Sequence, residues 1–221
     1  EPRCFGESTG SVVVNSISGP DNPFLCAWVN ELNDTVGRGN QLTNVGSGYY
    51  TAVIKDNRNC VEKHSGIMVT SPPELRINGV ITEMASCKEV ADGRITINAS
   101  GGTGTIRYSI DAGQTFSPMN IFTDKPFGIY SLRLADSRNC YADTTTEIKA
   151  GKLTLNLLAR QNATCYGYTN GLIQTSAAGS KLNEYEFHLQ SEKFSRLNSI
   201  GLFSNIPAAR YELWARDAAG C

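Results

Sequence analysis

Apolar and polar residues alternate along most of this chain, and the alternation returns at regular intervals. Its clearest stretch is Gly128 to Cys140, GIYSLRLADSRNC, where every second side chain falls on one face of an extended strand. The same pattern occurs at Gly48 to Cys60 (GYYTAVIKDNRNC) and at Arg210 to Cys221 (RYELWARDAAGC). In each copy a Tyr (Tyr50, Tyr130, Tyr211) precedes the Cys by 10 positions and an Asp (Asp56, Asp136, Asp217) precedes it by 4. A strand followed by an Asp-led turn is therefore predicted three times, and fixed internal spacing marks a tandem array.

A second pattern leads each copy. Cys4-FGEST-Gly10, Cys87-KEVAD-Gly93 and Cys165-YGYTN-Gly171 share a Cys-to-Gly distance of 6. The residues before the glycines, Thr9, Asp92 and Asn170, read as turn formers. Strands follow at 11–16, 94–100 and 172–178. A small-residue turn comes next, seen best in Ser100-GGTG and reduced to Gly179-Ser180 in the third copy. The next strand alternates again, and its triplets (Phe24, Cys26, Trp28; Ile106, Tyr108, Ile110; Tyr185, Phe187, Leu189) are expected to enter a core. The copies differ most at 30–46, 111–127 and 190–207, read as polar turns between short apolar stretches, where any binding specificity is expected.

After the first two closing cysteines come further strands near 65–71 and 144–150, then longer ones at 75–84 and 153–161. Pro72-Pro73 marks one seam, since paired prolines stop a ladder, and Gly151 lies near the other. With no long helical periodicity, the fold expected is all-β, with six or seven short strands per copy at the spacing of a β-sandwich. The repeats are placed at 1–72, 73–150 and 151–221. On this reading the first lacks its first strand and the third its last, so the natural chain is expected to continue at both ends, or partners to cover those edges.

Composition narrows the function. A net charge of −1 and a pI near 6.2 give no electrostatic argument for nucleic acid or an anionic membrane. The apolar runs are shorter than a membrane span, and Glu1 begins without a charged and apolar leader, so a mature fragment is expected. Seven cysteines are present. Cys4, Cys87 and Cys165 open the repeats, Cys60, Cys140 and Cys221 close them, and the distances are 56, 53 and 56. This regularity predicts one disulfide inside each repeat, in an oxidising compartment, each worth about 4 kcal/mol on the chain-entropy model. A metal site would call for Cys-x-x-Cys or Cys/His clusters, which the sequence lacks. Cys26 is left over. It stands where the sister repeats have Tyr108 and Phe187, and reads as a buried free thiol.

Taken together, the scheme resembles the SprB-type repeats of Bacteroidota surface proteins. The residues that carry the resemblance in the second repeat are Cys87, Gly93, Gly101-Gly102, Tyr108, Gly128, Tyr130, Asp136 and Cys140. In the first they include Pro23, Phe24, Trp28, Gly48, Tyr50, Asp56 and Cys60. The third repeat departs, with Ala209-Arg210 where Gly is expected. The resemblance implies a long extracellular, cell-surface adhesin of Ig-like modules, exported by type IX secretion and, in gliding bacteria, moved along the surface. Implied partners are further repeats of the same parent chain, surface polysaccharide, or an outer-membrane export or motility protein. The alternative is a glycan- or protein-binding module of another secreted Bacteroidota surface protein.

Catalytic chemistry finds little support. An active site needs convergent titratable groups. His64 and His188 stand outside any catalytic pattern, and Glu184 and Glu186 share a strand face expected to be solvated. Asp56, Asp136 and Asp217 suit Asx turns, with calcium as the alternative. The repeated tyrosines suit strand corners, with sugar stacking as the alternative. Ser100-GGTG joins two strands and opens no helix, which argues against a phosphate cradle. The chain is read as a non-enzyme without cofactor. Sequons stand at Asn33, Asn98 and Asn162. Asp34-Thr35-Val36 and Asp143-Thr144-Thr145 resemble the O-glycan acceptors of Bacteroidota exported proteins, which makes Thr35 and Thr144 candidates.

Overall fold

The computed structural model describes residues 1–19, 23–165, 167–179 and 183–221. Tyr166 and Ser180, which belong to the third repeat's sequence scheme, lie outside them. Among the described residues the structure is all-β, with eighteen strands and no helix. The first six are β1 (Gly10–Val13), β2 (Leu25–Val29), β3 (Thr35–Arg38), β4 (Gln41–Val45), β5 (Gly48–Lys55) and β6 (Val61–Val69). Next come β7 (Arg76–Glu83), β8 (Gly93–Ser100), β9 (Arg107–Ser109), β10 (Ile121–Lys125), β11 (Gly128–Ala135) and β12 (Tyr141–Ile148). The last six are β13 (Thr154–Gln161), β14 (Gly171–Ala178), β15 (Tyr185–Ser191), β16 (Phe194–Asn198), β17 (Leu202–Ile206) and β18 (Glu212–Asp217). They form the sheets β1-β4, β3-β2-β5-β6, β10-β8-β7, β12-β11-β9, β13-β14-β17 and β16-β15-β18.

The chain divides into two compact units. One comprises 1–79, 98–120 and 131–144; the other comprises 80–97, 121–130 and 145–221. In the first unit β1-β4 faces β3-β2-β5-β6 across a core of Cys26, Trp28, Leu42, Val45, Tyr50, Ala52 and Val69. Cys26 and Trp28 on β2, and Tyr50 and Ala52 on β5, alternate along their strands, so one face of that sheet is apolar and must be covered. Trp28 is wholly buried and donates its indole N–H to the Gly39 carbonyl at 2.9 Å, which satisfies its polar edge. In the second unit β13-β14-β17 faces β16-β15-β18 across Phe187, Leu189, Phe203 and Ile206. Burying a side chain such as Phe203 stabilises by about 1.5–3 kcal/mol.

Two expectations change. The stretches expected to be polar turns hold paired strands: β3 and β4 in the first repeat, β16 and β17 in the third, and β10 in the second. The second repeat's triplet, Ile106, Tyr108 and Ile110, is only half-buried, while Ser109 between them is 1% exposed. Ser109 turns inward because its hydroxyl is consumed locally: it donates to Asp111 Oδ1 at 2.6 Å and accepts the Gly113 N–H at 2.8 Å.

The largest correction concerns the cysteines. The bonds are Cys4–Cys140, spanning 136 residues, and Cys87–Cys221, spanning 134. Cys26, Cys60 and Cys165 are free, so none of the expected pairs, Cys4–Cys60, Cys87–Cys140 or Cys165–Cys221, is formed. A disulfide requires Cα atoms about 4.4–6.8 Å apart; here they lie 5.6 and 5.9 Å apart. The closing turn of the second repeat is held against residues 1–4. Arg138 pairs with the Glu1 carboxylate and donates to the Pro2 carbonyl, which sets Cys140 beside Cys4. Two of the three opening cysteines, Cys4 and Cys87, thus join the closing cysteine of the next repeat. Loops of this size raise the chain-entropy contribution to about 5 kcal/mol per bond.

Candidate functional site

The residues that recur in the three repeats make local contacts of the same kind each time. At each opening, the residue before the cysteine donates its N–H to the side chain of the residue before the glycine. These bonds are Arg3 to Thr9 Oγ1 at 2.7 Å, Ser86 to Asp92 Oδ1 at 2.7 Å and Thr164 to Asn170 Oδ1 at 3.0 Å. The glycine itself starts a strand. Its role is close approach: a Cβ on Gly10, Gly93 or Gly171 would stand 2.7, 2.7 or 2.9 Å from the carbonyl oxygen of Val45, Lys125 or Ile206.

Those carbonyls are aimed by a bulge that the sequence reading missed. Asn44, Asp124 and Asn205 are each the fourth residue of their strand, at φ of 57°, 57° and 54°. The pairing register skips each of them. Asn and Asp tolerate the left-handed region better than other non-glycine residues. The available signal was a Ser/Thr-Asn/Asp pair (Thr43-Asn44, Thr123-Asp124, Ser204-Asn205) six residues before each repeated tyrosine.

The tyrosines close the corner that follows. Tyr50, Tyr130 and Tyr211 donate their hydroxyls to the carbonyls of Gly46, Pro126 and Pro207 at 3.1, 2.7 and 2.8 Å. Burial pushes the Tyr130 and Tyr211 phenols above the ordinary tyrosine range. The Asp residues make Asx turns. Oδ1 of Asp56, Asp136 and Asp217 accepts two backbone N–H groups each, from residues two and four positions on, at 2.8–3.0 Å. The residue before each closing cysteine is left-handed: Asn59, Asn139 and Gly220. Asp136 also accepts the Thr103 N–H at 2.7 Å, tying its turn to the glycine-rich one. These carboxylates serve the backbone, and among the described residues no cluster of three His, Cys, Asp or Glu side chains suits a metal ion.

Cys26 is 6% exposed in the first core, where burial pushes its thiol up. Cys60 and Cys165 are exposed. Thr35, at the start of β3, and Thr144, in β12, are exposed, and Asp143 beside Thr144 is paired with Arg133. His64 is exposed on β6. His188 stacks on Trp214 with ring centroids 3.7 Å apart, and Trp214 is 43% exposed. Beside them Glu186 bonds His188 and Arg216, whose hydrogen bonds hold its carboxyl below the usual range. Glu184 contributes no second carboxylate to that network. The second unit also carries a cleft of about 460 Å³ lined by Leu157, Ile173, Leu189, Ile206 and Tyr211.

The second repeat holds one further device. Asp111 accepts the hydroxyls of Ser109 and Thr115 and the Thr115 N–H, which brings its carboxyl to about 2. Ala112 is left-handed at φ 61°. The pattern Ser109-x-Asp111-x-Gly113-x-Thr115 was present in the sequence as its signal.

No curated protein matches the chain. Among solved structures it is similar to the three N-terminal domains of the bacteriophage RB49 highly immunogenic outer capsid protein (TM-score 0.41, 14% identity, 97% of this chain and 83% of that one). It is also similar to Drosophila OTK extracellular domains 3–5 (TM-score 0.30, 10% identity, 97% and 89%). The amphioxus IgVJ-C2 molecule matches over 64% of this chain and 96% of its own, with a TM-score of 0.27 and 8% identity. The family comparison bears on the second repeat, where residues 80–115, holding Cys87, Gly93, Tyr108 and Asp111, match the model of the SprB repeat.

Proposed function

We propose that the chain is a non-catalytic part of a cell-surface stalk or adhesin, built of β-sandwich repeats that resist extension. The observation that carries this reading is the pair of overlapping disulfides. Cys4–Cys140 and Cys87–Cys221 bracket one another, so a pull on residues 4 and 221 bypasses most of the chain. With both bonds intact, the path lengthens only through the 53 residues between Cys87 and Cys140. That path is roughly 190 Å at about 3.6 Å per residue, against roughly 780 Å for the reduced chain. Extracellular location, export by type IX secretion and a part in adhesion or gliding belong to this reading, supported by the SprB match at 80–115. The exposure of Thr35 and Thr144 supports their assignment as O-glycan acceptors.

Single-molecule stretching of the oxidised chain from its ends tests the stalk. A contour length limited to the bypass supports it; full extension without reduction rejects it.

A second reading, a module that binds glycan or protein, is favoured by one feature: Trp214, exposed and held flat against His188. Flat aromatic faces suit sugar rings. Glycan-array binding that is lost in Trp214→Ala would move the assignment to this reading.

A further inference from the structure

We infer that Cys60 and Cys165 are the two open ends of a disulfide relay and take cysteines of opposite kind from another repeat. Cys60 would bond the cysteine of a Cys-x5-Gly opening, and Cys165 the cysteine of an Asp-x-x-x-Cys closing.

The two bonds in the structure set the rule. Both join an opening cysteine to the closing cysteine one repeat further on, across 136 and 134 residues. Applied to Cys60, a closing cysteine, the rule calls for the opening cysteine of a repeat ahead of the first. Applied to Cys165, an opening cysteine, it calls for the closing cysteine of a repeat beyond the third. Neither counterpart is among the seven cysteines of this chain. Cys26, the other free thiol, is buried and stands on a core strand, outside both patterns.

The two free thiols are presented as their bonded equivalents are. Around Cys60, Asp56 Oδ1 accepts the Cys60 N–H at 2.8 Å, as Asp136 and Asp217 do for Cys140 and Cys221 at 2.9 Å. The Cys165 carbonyl accepts the Tyr168 N–H at 3.1 Å, matching Cys4 with Glu7 at 3.2 Å and Cys87 with Val90 at 3.3 Å. Both thiols are exposed, so a partner sulfur has access.

Formation of each bond removes two protons and two electrons from two thiols, and a low-molecular-weight or protein disulfide accepts the electrons. The Cys60 thiolate attacks that disulfide, one of its sulfurs leaves as thiolate, and a mixed disulfide remains. The incoming opening cysteine then attacks the Cys60 sulfur and expels the second thiolate. The balance is two thiols of the repeats and one disulfide oxidant giving one disulfide between repeats and the two thiols of the reduced oxidant.

The partner repeat has two sources, a flanking repeat of a longer parent chain or a second copy of this one. The relay rests on the bonding rule and not on adhesion, so its failure leaves the stalk to the stretching test. The experiment is peptide mapping of the protein isolated from its producing cell, with thiols blocked by iodoacetamide before digestion and no reduction. Expected are Cys60 and Cys165 as fully oxidised as Cys4 and Cys140, each linked to a peptide of the opposite kind. A Cys60–Cys165 link in a species of twice the chain mass or more identifies a second copy as the source. A link to a foreign Cys-x5-Gly or Asp-x-x-x-Cys peptide identifies a flanking repeat. Alkylated Cys60 or Cys165 overturns the relay, as does a Cys60–Cys60, Cys165–Cys165 or Cys26 link, a Cys60–Cys165 bond at monomer mass, or Cys4 bonded to Cys60.

Discussion

The carbonyl oxygen of Lys125 lies 2.7 Å from the point where a Cβ on Gly93 would stand, and Ile148 Cγ2 lies 2.8 Å from it. One neighbour is backbone and the other a branched core side chain, so neither yields cheaply. Gly93→Ala is expected to cost about 1–3 kcal/mol through overpacking. Gly79, within β7, has nothing within 4 Å of its would-be Cβ and no left-handed φ. Gly79→Ala should therefore be neutral or stabilise by about 0.4–1 kcal/mol through the unfolded chain. Denaturant midpoints of the two variants decide the matter; equal losses would show that β8 is free to shift away from β10.

Tyr211 supplies the second test. Its hydroxyl donates to the Pro207 carbonyl at 2.8 Å from a half-buried ring. Tyr211→Phe keeps the ring and removes the bond, for an expected loss of about 0.5–1.5 kcal/mol. Burial raises the phenol's folded pKa, so its contribution is present below the unfolded value and is lost as pH rises through the folded one. Ultraviolet titration of the wild type against Tyr211→Phe should remove one late-titrating phenol.

The local devices were legible in the sequence because each is set by close spacing. The Tyr-to-Cys distance of 10 gave the corner and the Asx turn, and the alternation gave Trp28, Phe187 and Leu189 to the cores. What the spacing does not encode is which copy supplies a partner. Cys60 and Cys140 both end an Asp-x-Arg-Asn-Cys run, yet only Cys140 has a sulfur within reach. Gly10, Gly93 and Gly171 read as turn glycines because their reason, a carbonyl in a strand more than 30 residues away, is long-range. The bulges went unseen because one polar residue in a short strand carries little signal without its register.

Those bulges give a third prediction. Asn205 holds φ 54° within β17, and the register passes over it to pair Leu172 with Ser204. A β-branched residue is poorly suited to that conformation, so Asn205→Val should cost about 1–2 kcal/mol, while Asn205→Gly keeps the bulge. If the two variants unfold at the same denaturant concentration, the left-handed residue is not what fixes the register.

Asp111 makes the protein acid-sensitive in a defined window. Its carboxyl is brought to about 2, first by the Ser109 hydroxyl and then by Thr115. A lowered folded pKa contributes stability above the unfolded value, near 3.9 for Asp, and that stability is lost as pH falls toward the folded value. The wild type should lose stability relative to Asp111→Asn between about pH 4 and pH 2, and the two should run parallel above about pH 5. Acid titration followed by NMR of the Gly113 and Thr115 amides reads this directly; parallel curves throughout would remove Asp111 from the acid response.

The cysteines separate bonded from open positions within one motif. Cys140 and Cys60 end the same Asx turn, but Cys140 closes a loop of 136 residues to Cys4, whereas Cys60 closes none. Cys140→Ser should therefore cost about 2–5 kcal/mol, while Cys60→Ser, which opens no loop within this chain, should leave the unfolding of this unit within about 0.5 kcal/mol of the wild type. Guanidinium unfolding followed by fluorescence reports on the relevant unit through Trp28, which is wholly buried in its core. A Trp214→Phe background silences the other indole. Iodoacetamide should label Cys26 only on unfolding, since Cys26 is shielded among Trp28, Tyr50 and Ala52. Equal destabilisation by Cys140→Ser and Cys60→Ser would mean that the turn, not the covalent bond, carries the stability.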